Sequence, residues 1–279
     1  MSLEEKAVQL FKLHHAAAPV VLVNAWDVAS ARIIEDAGFP AIATTSAGVA
    51  NALGYPDGQK IPWAEMLFQI AKMVAAVQAP VTADIESGFS ADEHELDRAI
   101  TLVIKAGAVG VNLEDLVPNG ERHATLFSIA DQVQRIKTAR AAGEKLGIHL
   151  VINARTDAFW QAGAEPSAAM ANTLERGHAY LSAGADCIFV PGMRDPNKIK
   201  AVVEAWKAPV NILAGPGVPS ITELGKLGVK RVSFGSGPMR AAMGALRKIT
   251  REALASGTYA AMAELAIAYD DMNGLFEKN

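Results

Sequence analysis

The stretch IKAGAVGVNLED, residues 104–115, holds a whole structural unit. An apolar segment ends in Ala106-Gly107, where glycine supplies the left-handed backbone that stops a helix. Val109 to Leu113 then reads as a short strand, and Glu114 and Asp115 close it. The same punctuation recurs in EDAGFPAI (35–42), LSAGADCI (181–188) and GKLGVKRV (225–232). Working outward, apolar β-branched runs appear at 20–25, 41–46, 80–86, 109–115, 150–159, 187–192, 210–215 and 231–236, eight candidate strands in all. Between them lie segments such as WAEMLFQIAKMVAAVQ (63–78) and DEHELDRAITLVIKAG (92–107), whose apolar residues recur at helical spacing. One repeated βα unit with near-continuous apolar strands implies an all-parallel sheet covered by helices. Eight units favour closure into a (β/α)8 TIM barrel over an open doubly wound sheet.

The 279 residues suit one such barrel and demand no second domain. The expected organisation is a single domain over 1–279, with an N-terminal helix in 1–18, the barrel in 19–240 and extra C-terminal helices in 241–279. The apolar face of YAAMAELAIAYDDMNGLFEKN (259–279) is a candidate subunit contact, with packing on its own barrel the plainer reading. The 26 basic and 30 acidic residues form no basic run, so nucleic acid is not an expected partner. No apolar segment approaches the roughly 20 residues of a membrane span. The N-terminal MSLEEKAVQLFKLHH reads as an amphipathic helix and not as a signal peptide, so a cytoplasmic location and no membrane partner are expected. One cysteine, Cys187, rules out an internal disulfide framework and a cysteine-rich metal site.

In a barrel of this kind chemistry belongs at the carboxyl ends of the strands. Those ends carry Asn24 and Asp27, Ser46, Asp84 and Glu86, Asn112, Glu114 and Asp115, then Arg155 and Asp157. Asp84 and Glu86, two residues apart in PVTADIESGFS (80–90), share a face at a strand end, where like charges repel unless a cation or a shared proton lies between them. Several acids face one arginine. A divalent cation resolves that imbalance, and an all-oxygen ligand set without histidine or cysteine points to Mg2+ or Mn2+ over zinc. For Asp27, Asp115 and Asp157, helix capping or binding of loop amides explains the residue at least as well. For Asp84, Glu86 and Glu114 together the metal reading is the stronger. The turn Ser46-Ala47-Gly48 offers consecutive backbone amides to an anion, and Arg155 is able to close on the same group. Asp57, in GYPDG, lies on the following loop, where an ordinary β-turn role is equally open. No lysine ends a strand, which removes Schiff-base chemistry. The AGPG (214–217) and FGSG (234–237) turns suit either a phosphate cradle or plain tight turns.

Taken together, NAWDVASARIIEDAGFPAIATTSAG, the PDG of the second loop, DIESGF, NLED and NARTDAF resemble the isocitrate lyase and phosphoenolpyruvate mutase superfamily, in the family's order and over residues 20–160. The resemblance implies a (β/α)8 barrel whose last helix is exchanged between subunits in a homotetramer, a dimer of dimers. It implies that Asp84 ligates Mg2+ directly, with Glu86 and Glu114 holding the ion directly or through water. It further implies that Ser46, Ala47, Gly48 and Arg155 grip a substrate carboxylate, with Asp57 beside the reacting centre. The shared chemistry would be formation or consumption of a pyruvate-like enolate from a small 2-oxo or 2-hydroxy dicarboxylate.

This chain also departs from the family pattern. The loop LVPNGERHATLF (116–127) has neither the lyases' catalytic cysteine nor the mutases' KTNS-like gate, and Gly192 stands where methylisocitrate lyases carry glutamate. Arg122 or His123 could supply a proton, although solvated loop residues explain them as well. The expected activity is carbon–carbon cleavage of the lyase or decarboxylase type. Carbon–phosphorus chemistry on phosphonopyruvate is the enzymatic alternative, and non-catalytic 2-oxo acid binding is the other.

Overall fold

The computed structural model describes residues 1–117, 125–161 and 166–277. Its strands, in chain order, are β1 (Val20–Leu22), β2 (Asn24–Ala25), β3 (Ile42–Thr44), β4 (Val81–Asp84), β5 (Gly110–Glu114), β6 (Val151–Arg155), β7 (Cys187–Phe189), β8 (Val210–Leu213) and β9 (Arg231–Ser233). Neighbours pair in parallel in the order β1-β9-β8-β7-β6-β5-β4-β3-β2. The first expected strand is interrupted at Val23, so that β1 pairs with β9 and β2 with β3, and this one broken strand closes the ring. The molecule is therefore a (β/α)8 barrel. Strands run shorter than the apolar runs suggest: β3 stops at Thr44 because Thr45 turns to cap the helix Ser46–Ala52, and β6 stops at Arg155 because the chain enters the helix Ala158–Gln161.

The four glycines that the sequence marks as helix stops, Gly38, Gly107, Gly184 and Gly228, all have φ between 85° and 105°. That region is costly for any side chain with a Cβ, so each helix ends where its glycine falls. The N-terminal helix Leu3–His14, closed by a capping box between Ser2 and Glu5, buries Ala7, Leu10 and His14 at helical spacing. It stoppers the barrel. A Cβ on Gly110 of β5 would lie 2.8 Å from a Leu10 methyl, so glycine there is what lets the helix seat.

Strand alternation sends Asn112 and Glu114 of β5, Asn153 and Arg155 of β6, and Arg231 and Ser233 of β9 to the barrel interior. The apolar core fills the space between strands and surrounding helices, from Leu22, Ile42 and Val111 to Ile100, Ile136 and Ile199. After β9 come helices Gly237–Ser256, Ala260–Leu265 and Tyr269–Glu277, which leave Leu254, Tyr259 and Tyr269 largely exposed. No helix among the described residues is long and apolar enough to cross a membrane.

Candidate active site

Where β3, β4, β5 and β6 end, a cavity of about 190 Å³ opens on the carboxyl face of the barrel. Its lining includes Ser46, Ala47, Asp57, Asp84, Glu86, Asn112, Glu114 and Arg155, so the residues expected from the strand ends do meet in one place. Gly48 is not in the lining. Its amide faces the Thr45 hydroxyl at 3.4 Å, inside the first turn of the helix Ser46–Ala52.

Asp84 is fixed from one side. Its Oδ2 accepts hydrogen bonds from the Ser46 backbone N–H at 2.9 Å and from the Ser46 hydroxyl at 2.8 Å, and its own N–H donates to Thr44 Oγ1. Ser46 is thus spent on a carboxylate of the protein itself, and Ala47 is the residue of that turn whose amide remains for a ligand. Asp84 Oδ1 has only a long contact, 3.4 Å, from the Glu86 N–H.

Glu86 sits in a tight turn at φ 51°, left-handed backbone that a residue with a Cβ adopts at a cost. The turn is held from outside by Arg135, whose guanidinium donates to the Ser87 carbonyl and stacks on Phe127. The Glu86 side chain is buried, and its Oε1 has no hydrogen-bond partner among the described residues. Burial, then the charges of Asp57 and Asp84, push its pKa from 4.5 up to about 8. Glu114 is likewise buried, and desolvation raises its pKa well above the carboxylate range although Arg155 Nη1 lies 2.8 Å from its Oε2. Asp57, exposed at the rim, has a carboxyl raised by partial desolvation and by Asp84.

Arg155 is tied down by two acids. Its Nε and Nη2 donate to both oxygens of Asp157 at 2.7 and 2.8 Å, while Nη1 meets Glu114. A guanidinium has five N–H groups, so one on Nη1 and one on Nη2 remain for a ligand. Asp157 is held in turn by Asp115, whose Oδ1 accepts the Asp157 N–H and whose Oδ2 accepts from Arg176 and Tyr180. Asp27 caps the helix Val28–Asp36 through Ser30. These three aspartates are therefore engaged within the protein.

Four carboxylates line the cavity against Arg155 alone, with no lysine or histidine among the described lining residues. Within the described residues no three acidic, histidine or cysteine side chains converge tightly enough to form a finished metal shell. Mg2+ seldom needs one: it keeps several waters and takes one or two carboxylates directly. One open Asp84 oxygen, the unpartnered Glu86 Oε1 and a hard, all-oxygen donor set fit such an ion.

The apolar part of the lining is formed by Leu116, Trp160, Phe189, Pro191 and Leu213. Sequence reading missed Trp160 and Phe189, which look like ordinary core aromatics; the Trp160 ring packs beside Gly192, 3.8 Å from where a Cβ on that glycine would lie. It missed Arg135 as well, because the contact with Ser87 spans 48 residues and leaves no local pattern. From the two glycine-rich turns, Gly235 and Ser236 reach the cavity while Gly215 and Gly217 do not. Arg122 and His123 lie outside the described residues. Cys187 is fully buried in β7 with its thiol pushed up to about 12 by desolvation, far from nucleophilic form.

The phosphoenolpyruvate phosphomutase family model matches residues 10–254. The chain belongs to this family. It is 31% identical to the 2-methylisocitrate lyase of Shewanella oneidensis over 250 residues, covering 86% of this chain and 82% of that protein. It is 30% identical over 233 residues to an oxaloacetate decarboxylase of Rhodopseudomonas palustris, covering 81% and 76%. Among solved structures, a phosphonopyruvate hydrolase in complex with oxalate and Mg2+ superposes with a TM-score of 0.84 over 97% of this chain and 94% of that one; at 23% identity this likeness speaks for the fold. The two relatives named here are a lyase and a decarboxylase, and an enzyme on the same barrel is the consistent reading.

Proposed function

We propose that this protein is a magnesium-dependent lyase or decarboxylase that breaks a carbon–carbon bond in a small 2-oxo or 2-hydroxy dicarboxylate. The observation that carries the reading is the crowding of Asp57, Asp84, Glu86 and Glu114 around a single, already shared arginine. Such a cluster is costly unless protons or a cation compensate it. At about 190 Å³ the cavity lies below the roughly 300–1,000 Å³ of pockets for drug-sized ligands, which suits a small acid.

Bound at Asp84, with Glu86 and Glu114 holding its waters, Mg2+ (or Mn2+) would draw charge from the substrate's keto oxygen. The chain's own groups do the rest. The Ala47 amide and the free N–H groups of Arg155 bind the carboxylate next to that oxygen. When the bond between C3 and its carboxylate breaks, its electron pair moves through C2 to the keto oxygen as an enolate, and the carboxylate leaves as carbon dioxide. Asp57, a rim carboxyl whose pKa is raised by desolvation and by the charge of Asp84, would return a proton to C3. The wall of Leu116, Trp160, Phe189 and Leu213 offers no cation to a distal carboxylate, which favours losing that group over holding it. The enzyme is further proposed to act as a homotetramer, a dimer of dimers that exchanges its last barrel helix.

The test is thermal unfolding of chelator-stripped protein with oxalate, pyruvate, oxaloacetate and phosphonopyruvate, each with and without Mg2+. Oxalate resembles the enolate. A ligand at a hundredfold excess over its Kd stabilises by about 2.7 kcal/mol, so a shift of roughly 5 °C that requires both Mg2+ and oxalate is expected. Turnover of oxaloacetate to pyruvate supports the carbon–carbon reading. Release of inorganic phosphate from phosphonopyruvate would replace it with carbon–phosphorus chemistry, and binding without turnover of any panel member would make the protein a 2-oxo acid binder.

A further inference from the structure

Beneath the cavity floor the barrel holds an arginine that pairs with no carboxylate among the described residues. Arg231 of β9 is 0% exposed. Its Nη2 donates to Asn112 Oδ1 at 3.1 Å, and its Nη1 lies 3.4 Å from His14 Nε2. His14 Nδ1 lies 2.8 Å from the Leu10 carbonyl, so that nitrogen carries the proton and Nε2 accepts. Burying a guanidinium among neutral partners is costly, and desolvation pulls its pKa down to about 10. A methionine would fill the same space without that penalty, which calls for a use of the charge.

Asn112 supplies one. Asn153 Nδ2 donates to the same Asn112 Oδ1 at 2.6 Å, so two donors converge on one oxygen and settle which end of the amide is which. The other end, Nδ2, is turned from both donors, and Asn112 is part of the cavity lining whereas Arg231 and Asn153 are not. Asn112 stands in register with Asp84 on one side and Asn153 on the other, one inward position below Glu114. Around it the cavity's charged side chains are nearly all acceptors. An anionic ligand needs donors there.

We infer that Asn112 is a substrate-binding residue whose Nδ2–H donates to an oxygen of the bound 2-oxo acid, and that Arg231 is the positioning residue that orients this donor from inside the barrel. The inference rests on the reading of the site given under Proposed function. A cation bonded to Oδ1 draws electron density through the amide and strengthens the N–H on the far side. It also places a fixed positive charge under an anion in a low-dielectric interior, where the field acts with little screening.

The experiment is calorimetric titration of oxalate at saturating Mg2+ into the wild type, Asn112→Leu, Arg231→Met and the double variant, with Mg2+ affinity measured separately. Asn112→Leu is expected to weaken oxalate about tenfold or more at unchanged Mg2+ affinity, in line with loss of a hydrogen bond to a charged group. Arg231→Met should weaken it several-fold, and the double variant no further than Asn112→Leu alone, because Arg231 acts through Asn112. If Arg231→Met does not fold, Arg231→Lys takes its place in the cycle, with a smaller loss and the same coupling expected. Additive losses, wild-type oxalate affinity in Asn112→Leu, or a parallel loss of Mg2+ affinity would each overturn the inference while leaving the site's function intact. Failure of the wild type to bind oxalate with Mg2+ would overturn the reading of the site and this inference with it.

Discussion

Glu86 shows at the scale of one residue what the site requires. Its folded pKa, about 8 against 4.5, means the folded chain keeps a proton that the unfolded chain has released. The group's contribution to stability is therefore complete below pH 4.5 and is lost as pH rises through about 8. Metal-free protein should melt lower at pH 8.5 than at pH 6, and Glu86→Gln should flatten that slope while abolishing much of the Mg2+-dependent stabilisation. Differential scanning calorimetry of chelated samples at the two pH values checks this, and an unchanged slope in the variant would remove Glu86 from the titrating set. Asp84→Ala should eliminate Mg2+-dependent oxalate binding outright, since its Oδ1 has only one long contact within the protein and is left to a cation; undiminished binding would sink the metal assignment. Arg155→Ala should weaken oxalate and also lower the melting temperature, because it strands Glu114 and Asp157, both buried, without their cation. A variant that weakens oxalate at full stability would mean that those two acids are compensated by something else.

Secondary-structure elements were legible in the sequence where their cause is local. A glycine at positive φ after a helix, and an apolar run after the glycine, need no knowledge of the rest of the chain, so the strand positions and helix stops followed directly. The strand-end carboxylates were legible for the same reason. What lay hidden is long-range: Ser46 reads as an open anion-binding turn until Asp84, 38 residues on, takes both its donors. Arg135, Arg176 and Tyr180 look like ordinary helix residues until the fold aims the first at the turn that carries Glu86 and the other two at Asp115, which holds Asp157. The N-terminal helix is the element with the clearest hidden role. Its His14 is buried against Arg231, and desolvation followed by that charge lowers its pKa from 6.5 to about 4. A depressed pKa contributes stability that is present above pH 6.5 and lost as pH falls through about 4. About 3 kcal/mol of acid sensitivity belongs to this stopper. His14→Gln should flatten the stability profile between pH 6.5 and 4 in urea titrations, and an unaltered profile would mean that other groups govern acid unfolding.

At the scale of the whole molecule the C-terminal helices are the part that the barrel does not explain. Leu254 is 91% exposed, Tyr269 81% and Tyr259 71%, and Met243, Leu246, Met262, Leu265, Ile267 and Phe276 are exposed as well. Single exposed apolar residues are ordinary, but this many over three consecutive helices and the turns between them offer a patch for a second copy to cover. The helix Gly237–Ser256 starts at the cavity rim, since Gly235 and Ser236 line the site, so whatever covers its far end is mechanically joined to the active site. Exchange of this region between copies would bury the patch and brace that rim at once. The expected mass in solution by light scattering is four times the 29.4 kDa of one chain. Leu254→Glu combined with Tyr269→Glu should yield smaller species, with weakened Mg2+-dependent oxalate binding because the rim loses its brace. A wild-type monomer would refute the assembly, and smaller species with unimpaired oxalate affinity would separate the assembly from the site.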